Sequence, residues 1–172
     1  MGGVLWDEKG EIMHILCRNW GETTNNDAEF TALEQGLRLL IRLSRALTII
    51  EGDSQLAITT IKKIQHGTKT GKVIKHWRLA AVIELIAQHL ASLGGIILQF
   101  VWRKSNSLVD HLANYAFDNP TNALDTCWME LPHVELRDQC YNISRCDLTT
   151  SNTKETDGSL SIISRSWITV SY

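Results

Sequence analysis

No apolar run in this 172-residue chain approaches the roughly 20 residues of a membrane-spanning helix, so a membrane segment is not expected. Met1-Gly2-Gly3-Val4-Leu5-Trp6-Asp7 has no charged stretch ahead of an apolar one, which argues against a signal peptide. It also lacks the Ser or Thr that a myristoylation signal wants near Asp7. Cysteine is sparse. Cys17, Cys127, Cys140 and Cys146 stand at uneven intervals, and without a secretory signal they read as reduced thiols of an intracellular protein. Cys127, His133, Cys140 and Cys146 lie near one another but lack a tight Cys-x₂₋₄-Cys knuckle, so a zinc site is not expected. There are no internal repeats, and the length suits one domain with a tail.

Acid is missing from one long stretch. Between Ser54 and Ile83 there is no Asp or Glu, but there are Lys62, Lys63, Lys69, Lys72, Lys75 and Arg78, with His66, His76 and Trp77 interleaved. Such a stretch suits a phosphate-facing surface, and equally a solvated helix end and loop. The net charge of −2 conceals the asymmetry: residues 1–117 carry 13 basic and 11 acidic side chains, residues 118–172 carry 4 and 8.

The ordered elements follow from periodicity. Gly3–Trp6 and Ile12–Cys17 flank Asp7-Glu8-Lys9-Gly10 as a hairpin. Thr23-Thr24-Asn25-Asn26 offers cap chemistry to a helix over 26–44, with Phe30, Leu33, Leu37, Leu40 and Ile41 on its apolar face. Ala46–Ile50 reads as a buried strand, Ser54–Gln65 as a helix, and Leu79–Leu93 as an amphipathic helix ended by Gly94-Gly95. Ile96–Trp102 reads as a strand and Leu108–Phe117 as the last clear helix. After Asn119-Pro120 no period is sustained until Leu160–Val170, a partly strand-like run expected to pair with a sheet edge or with nothing. The order ββαβααβα indicates a layered α/β or α+β domain.

Three carboxylates sit where a strand or loop gives way to an apolar helix: Glu29 in Asn25-Asn26-Asp27-Ala28-Glu29, Asp53 in Glu51-Gly52-Asp53-Ser54, and Asp110 in Asn106-Ser107-Leu108-Val109-Asp110. Taken singly, each reads as an ordinary helix-terminal acid. Acids at such junctions can also converge at one edge of a sheet and hold a divalent metal. Asp7 lies in the hairpin turn and is not counted with them.

In context the three motifs resemble those of ribonuclease H type 1 domains. Asn25–Glu29 with Ala32-Leu33 resembles the start of the family's first helix, Glu51–Gln55 the strand end that bears the next Asp, and Val101–Ala113 the last strand, loop and helix. The wording is most similar to the plant-type, reverse-transcriptase-associated branch, and the likeness covers about residues 2–117. The resemblance implies an α/β, three-layer fold around a mixed sheet. It also implies metal-dependent cleavage of the RNA strand of an RNA–DNA hybrid by two Mg²⁺ ions, with Mn²⁺ as the alternative. Glu29, Asp53 and Asp110 would be both catalytic residues and metal ligands. Asn25, Asn26, Ser54, Lys62, Lys63, Lys72, Lys75, Arg78, Arg103 and Asn106 would face nucleic acid. Capping alone also explains Asn25 and Asn26, and it is a second reading of Asn106 and Ser107.

The family opens with a strand that bears a further Asp and lies between the hairpin and the Ala46–Ile50 strand. Here Gly2–Trp6 matches the second strand, so the first is expected to be missing. Its loss would leave backbone groups on both neighbours unpaired. Residues 1–117 are therefore expected to form the domain and 118–172 a poorly ordered or loosely packed extension. The alternatives to a hybrid nuclease are an inactive nucleic-acid-binding module of the same fold and a retroelement-derived fragment. No obligate protein partner is implied.

Overall fold

The computed structural model describes residues 1–45, 47–68, 77–103, 106–151 and 166–171. The elements are β1 (Gly2–Trp6), β2 (Ile12–Cys17), α1 (Asn25–Arg42), β3 (Thr48–Gly52), α2 (Gln55–Gln65), α3 (Trp77–Ser92), β4 (Ile97–Phe100), α4 (Ser107–Asp118), β5 (Leu124–Cys127), α5 (Val134–Ser151) and β6 (Ser166–Ser171). The β1–β2 hairpin closes on Asp7, whose Oδ1 accepts the amides of Lys9 and Glu11 at 2.9 and 2.8 Å. Asp7 is thus a turn residue. Helix α1 starts at Thr24: its hydroxyl accepts the Asp27 amide and donates to the Asp27 carboxylate, satisfying an orphan amide of the first turn. Ser54 caps α2 in the same way, through the Ala57 amide at 3.3 Å.

The sheet has six strands in the order β4-β3-β6-β1-β2-β5. The last strand of the chain lies near its middle. β6 runs antiparallel to β1, from Gly2 opposite Ser171 to Trp6 opposite Trp167, and parallel to β3, from Thr48 beside Ser166 to Gly52 beside Val170. It fills the place between the hairpin and β3 that the family resemblance assigned to the missing strand. The backbone groups expected to be orphaned on β1 and β3 are paired by it.

The expectation for residues 118–172 is corrected accordingly. β5 extends the sheet beyond β2, and α5 packs on α4. Leu136 and Cys140 of α5 are buried in one core with Val4, Ile15, Leu108, Val109 and Leu112. The described part of the run ending at Val170, residues 166–170, pairs on both sides rather than with an edge. Residues 149–159 are rich in Ser, Thr and Asn, and most of them fall in 152–165, which lies outside the described residues.

Helices cover both faces of the sheet. On one face Phe30, Leu33, Leu37 and Leu40 of α1 join Ile58 and Ile61 of α2, Ile83 and Ile86 of α3, and Leu5, Ile50 and Leu98 of the sheet. α4 and α5 take the other face. Successive strand residues alternate between the layers, so Val4 and Leu5 belong to different cores. β1 lies hard against α4: a Cβ at Gly2 would stand 2.3 Å from the Val109 carbonyl oxygen and 2.9 Å from the Ala113 nitrogen, so only glycine fits. That contact fixes the helix that carries Asp110. No described helix is long and apolar enough to cross a membrane.

An ionic cluster ties edge strand β5 to the end of α1. Asp125 accepts from Arg42 at 2.7 and 2.5 Å and lies 2.7 Å from His14 Nε2. The Arg42 hydrogen bonds, with those of His14, hold the Asp125 carboxyl down at about 2 against the opposing effect of burial. A depressed acid stabilises the fold above its unfolded value near 4, and that contribution is lost as pH falls towards 2. Asp125 is half exposed, so the effect is screened and small. Denaturant titrations at pH 5 and pH 2.5 should show a larger acid-induced loss in the native chain than in Asp125→Asn.

Candidate active site

Glu29 lies in the second turn of α1, Asp53 directly after the end of β3, and Asp110 in the first turn of α4. Three elements thus present the acids at one end of the sheet. Glu29 lies in the field of Asp53, and Asp110 is linked to both through Arg103. Burial, and then the charge of Asp53, push the Glu29 carboxyl up to about 7. The Arg103 guanidinium is held by Asp110, with Nε and Nη2 at 3.0 and 2.5 Å from one carboxylate oxygen. The charges of Asp53 and Glu29 also act on it, so all three acids bear on one cation.

Arg103 reaches this place because β3 and β4 are parallel and the Val101 amide extends their pairing to the Gly52 carbonyl at 3.0 Å. The chain leaving β4 therefore runs past Asp53 before α4 begins. Its Asn106 amide bonds to the Arg103 carbonyl, and the Asp110 amide bonds back to Asn106. Asp110 sits where the helix dipole favours a carboxylate.

The other sequence candidates divide. Asn25 and Asn26 are exposed at the start of α1, and Thr24 does the capping, which leaves both amides available to a ligand. Asn106 stands at the N-cap of α4 without a side-chain capping bond. It is only 2% exposed, with no hydrogen-bond partner for either amide atom among the described residues, so neither capping nor direct contact with substrate describes it. Ser54 is engaged in its cap. Lys62 and Lys63 are exposed in the last turn of α2, about 12 Å along the helix from Ser54 at ~1.5 Å per residue, and so lie away from the acids. Lys69, Lys72 and Lys75 lie outside the described residues, as does the Arg78 side chain. Cys140 is fully buried, and burial pushes its thiol up to about 12.

Sequence reasoning missed the flanks of the site. An open groove beside Asp110 is lined by Ser107, His111, Asn114, Asn142 and Ile143, so α5 contributes one wall. The spacing of Leu136, Cys140 and Ile143 was the available helical signal. A second cavity, of about 210 Å³, also has Arg103 in its lining.

The donor chemistry fits a hard divalent cation: three carboxylates, two of them crowded enough to disfavour ionisation of one. Among the described residues no three His, Cys, Asp or Glu side chains are drawn close enough to grip a single ion. Arg103 supplies positive charge there.

A mixed sheet between two helical layers, with acids from α1, β3 and α4 at one end, defines a ribonuclease H-like domain. The family model described as reverse transcriptase-like matches residues 1–116, and the chain belongs to that family. Among solved structures it is similar to the N-terminal RNase H domain of Rv2228c from Mycobacterium tuberculosis, determined as a fusion with maltose-binding protein. Identity is 30% over 69% of this chain and 83% of that chain, with a TM-score of 0.55. No curated protein matches.

Proposed function

We propose that this domain is a metal-dependent nuclease that hydrolyses the RNA strand of RNA–DNA hybrids. The observation that carries the reading is the convergence of Glu29, Asp53 and Asp110 on Arg103, at the sheet end of a ribonuclease H-like fold. Glu29, Asp53 and Asp110 would hold Mg²⁺, which when bound supplies an activated water and charge stabilisation at the scissile phosphate. Without metal, burial and the charge of Asp53 raise the affinity of Glu29 for a proton, so loading the ion would release that proton. Arg103, largely exposed, meets a phosphate oxygen on releasing Asp110. Asn25 and Asn26 reach sugar hydroxyls or base edges, and the 2′-hydroxyl is what distinguishes RNA from DNA.

One observation favours a second reading, a binding module without cleavage. The strand in the central slot, Ser166-Trp167-Ile168-Thr169-Val170-Ser171, carries no carboxylate. A panel of labelled duplexes separates the two. With Mg²⁺, the nuclease reading expects cuts in the RNA of a hybrid, none in double-stranded DNA, and none after chelation. Hybrid retention without cuts supports the binding module, and cutting of every duplex alike contradicts the hybrid assignment.

A further inference from the structure

We infer that the cavity beyond Arg103 is a subsite for one unpaired nucleobase of the nucleic acid held at the acid site. The inference rests on the nucleic-acid reading above. Asn19, Trp20 and Gly21 from the segment between β2 and α1 line the cavity, with Arg103 and, from α4, Asn114 and Phe117. Trp20 is 40% exposed and Phe117 75% exposed. Single exposed aromatics are commonplace, but here two line one cavity together with Arg103, whose guanidinium also touches Asp110. The Arg18 guanidinium lies 5.0 Å from the Trp20 ring centroid.

These groups suit a nucleotide. Aromatic faces stack on any base, and arginine adds cation–π attraction. The Asn19 and Asn114 amides offer donors and acceptors to a base edge. No acidic residue lines the cavity to repel the phosphate that follows the base. The volume of about 210 Å³ is below the ~300–1,000 Å³ of pockets that take drug-sized ligands, so it admits one ring system rather than a stacked pair. Because Arg103 belongs to both the cavity and the acid site, a strand running from one to the other would leave the duplex with its first unpaired base at Trp20.

The test is binding in chelator, where nothing is cut. Fluorescence anisotropy compares a blunt RNA–DNA hybrid with the same hybrid bearing a short single-stranded overhang at either end. The native chain should bind one overhang form about tenfold more tightly than the blunt form, within the range for base–aromatic stacking. Trp20→Ala should lose that advantage and bind the blunt hybrid as before, while Trp20→Phe should keep most of it. If Trp20→Ala unfolds, Phe117→Ala makes the same comparison at a more exposed ring. Equal binding of blunt and overhang forms by the native chain overturns the subsite and leaves the nuclease reading standing. Failure to bind any hybrid overturns both.

Discussion

Removing residues 166–172 will abolish cooperative unfolding of the domain. β6 makes five register pairs with β1 and five with β3. At about one backbone hydrogen bond per pair and roughly 1 kcal/mol each, some 10 kcal/mol of pairing depends on it, comparable with the ~5–15 kcal/mol that a whole domain has to spare. Both neighbours are central strands, so their amides and carbonyls would be left without partners between two helical layers. Loss of an exposed tail would instead leave the melt unchanged. The check is a thermal melt by circular dichroism of the full chain, the truncated chain, and the truncated chain with a peptide spanning residues 160–172. The peptide should restore part of the transition. An unaltered melt in the truncated chain would show that β6 does not complete the sheet.

Glu29→Gln should stabilise the fold while it removes activity. The carboxyl, raised from an ordinary value near 4.5 to about 7, is ionised against the cost of burial and the field of Asp53. The folded state therefore holds a proton over a range in which the unfolded state has released it. Stability falls as pH rises from about 4.5 through 7, and stays reduced above that. The neutral amide removes this dependence. At pH 8 the variant should melt above the native chain, by about 2–4 °C for each kcal/mol relieved in a domain of this size. Hybrid cleavage should drop by about 100-fold or more, the equivalent of ~3 kcal/mol of charge stabilisation lost at the phosphate. A lower melting temperature at pH 8, or cleavage within a fewfold of native, would show that Glu29 is a structural acid.

Much of the architecture was legible because it is local. Phe30, Leu33, Leu37 and Leu40 repeat at helical spacing, and α1 buries that face. Gly94-Gly95 stops α3, with Gly95 at a φ of 72° packed against Leu47. The three acid motifs lay on the expected elements because strand ends and helix starts have local signatures. What escaped was non-local. Ser166–Ser171 has strand composition, but nothing in it says that its partners are β1 and β3, more than a hundred residues back. β5 has four residues at an edge, too few to show alternation. Within the site, the clasp of Arg103 on Asp110 spans seven positions across a loop and depends on where parallel β3 and β4 end. Asn106 read as a nucleic-acid-facing residue or a cap by its place and residue type, and its burial has no sequence signature.

The most direct measurement is single-turnover cleavage of a uniform RNA–DNA hybrid by the full chain and by Asp53→Asn, each in Mg²⁺ and matched for thermal stability. Metal-dependent cuts in the RNA by the native chain, reduced to background by Asp53→Asn, are the predicted result. RNA cleavage that is the same for both, or absent from both while the hybrid is bound, would contradict a hydrolytic site built on these acids.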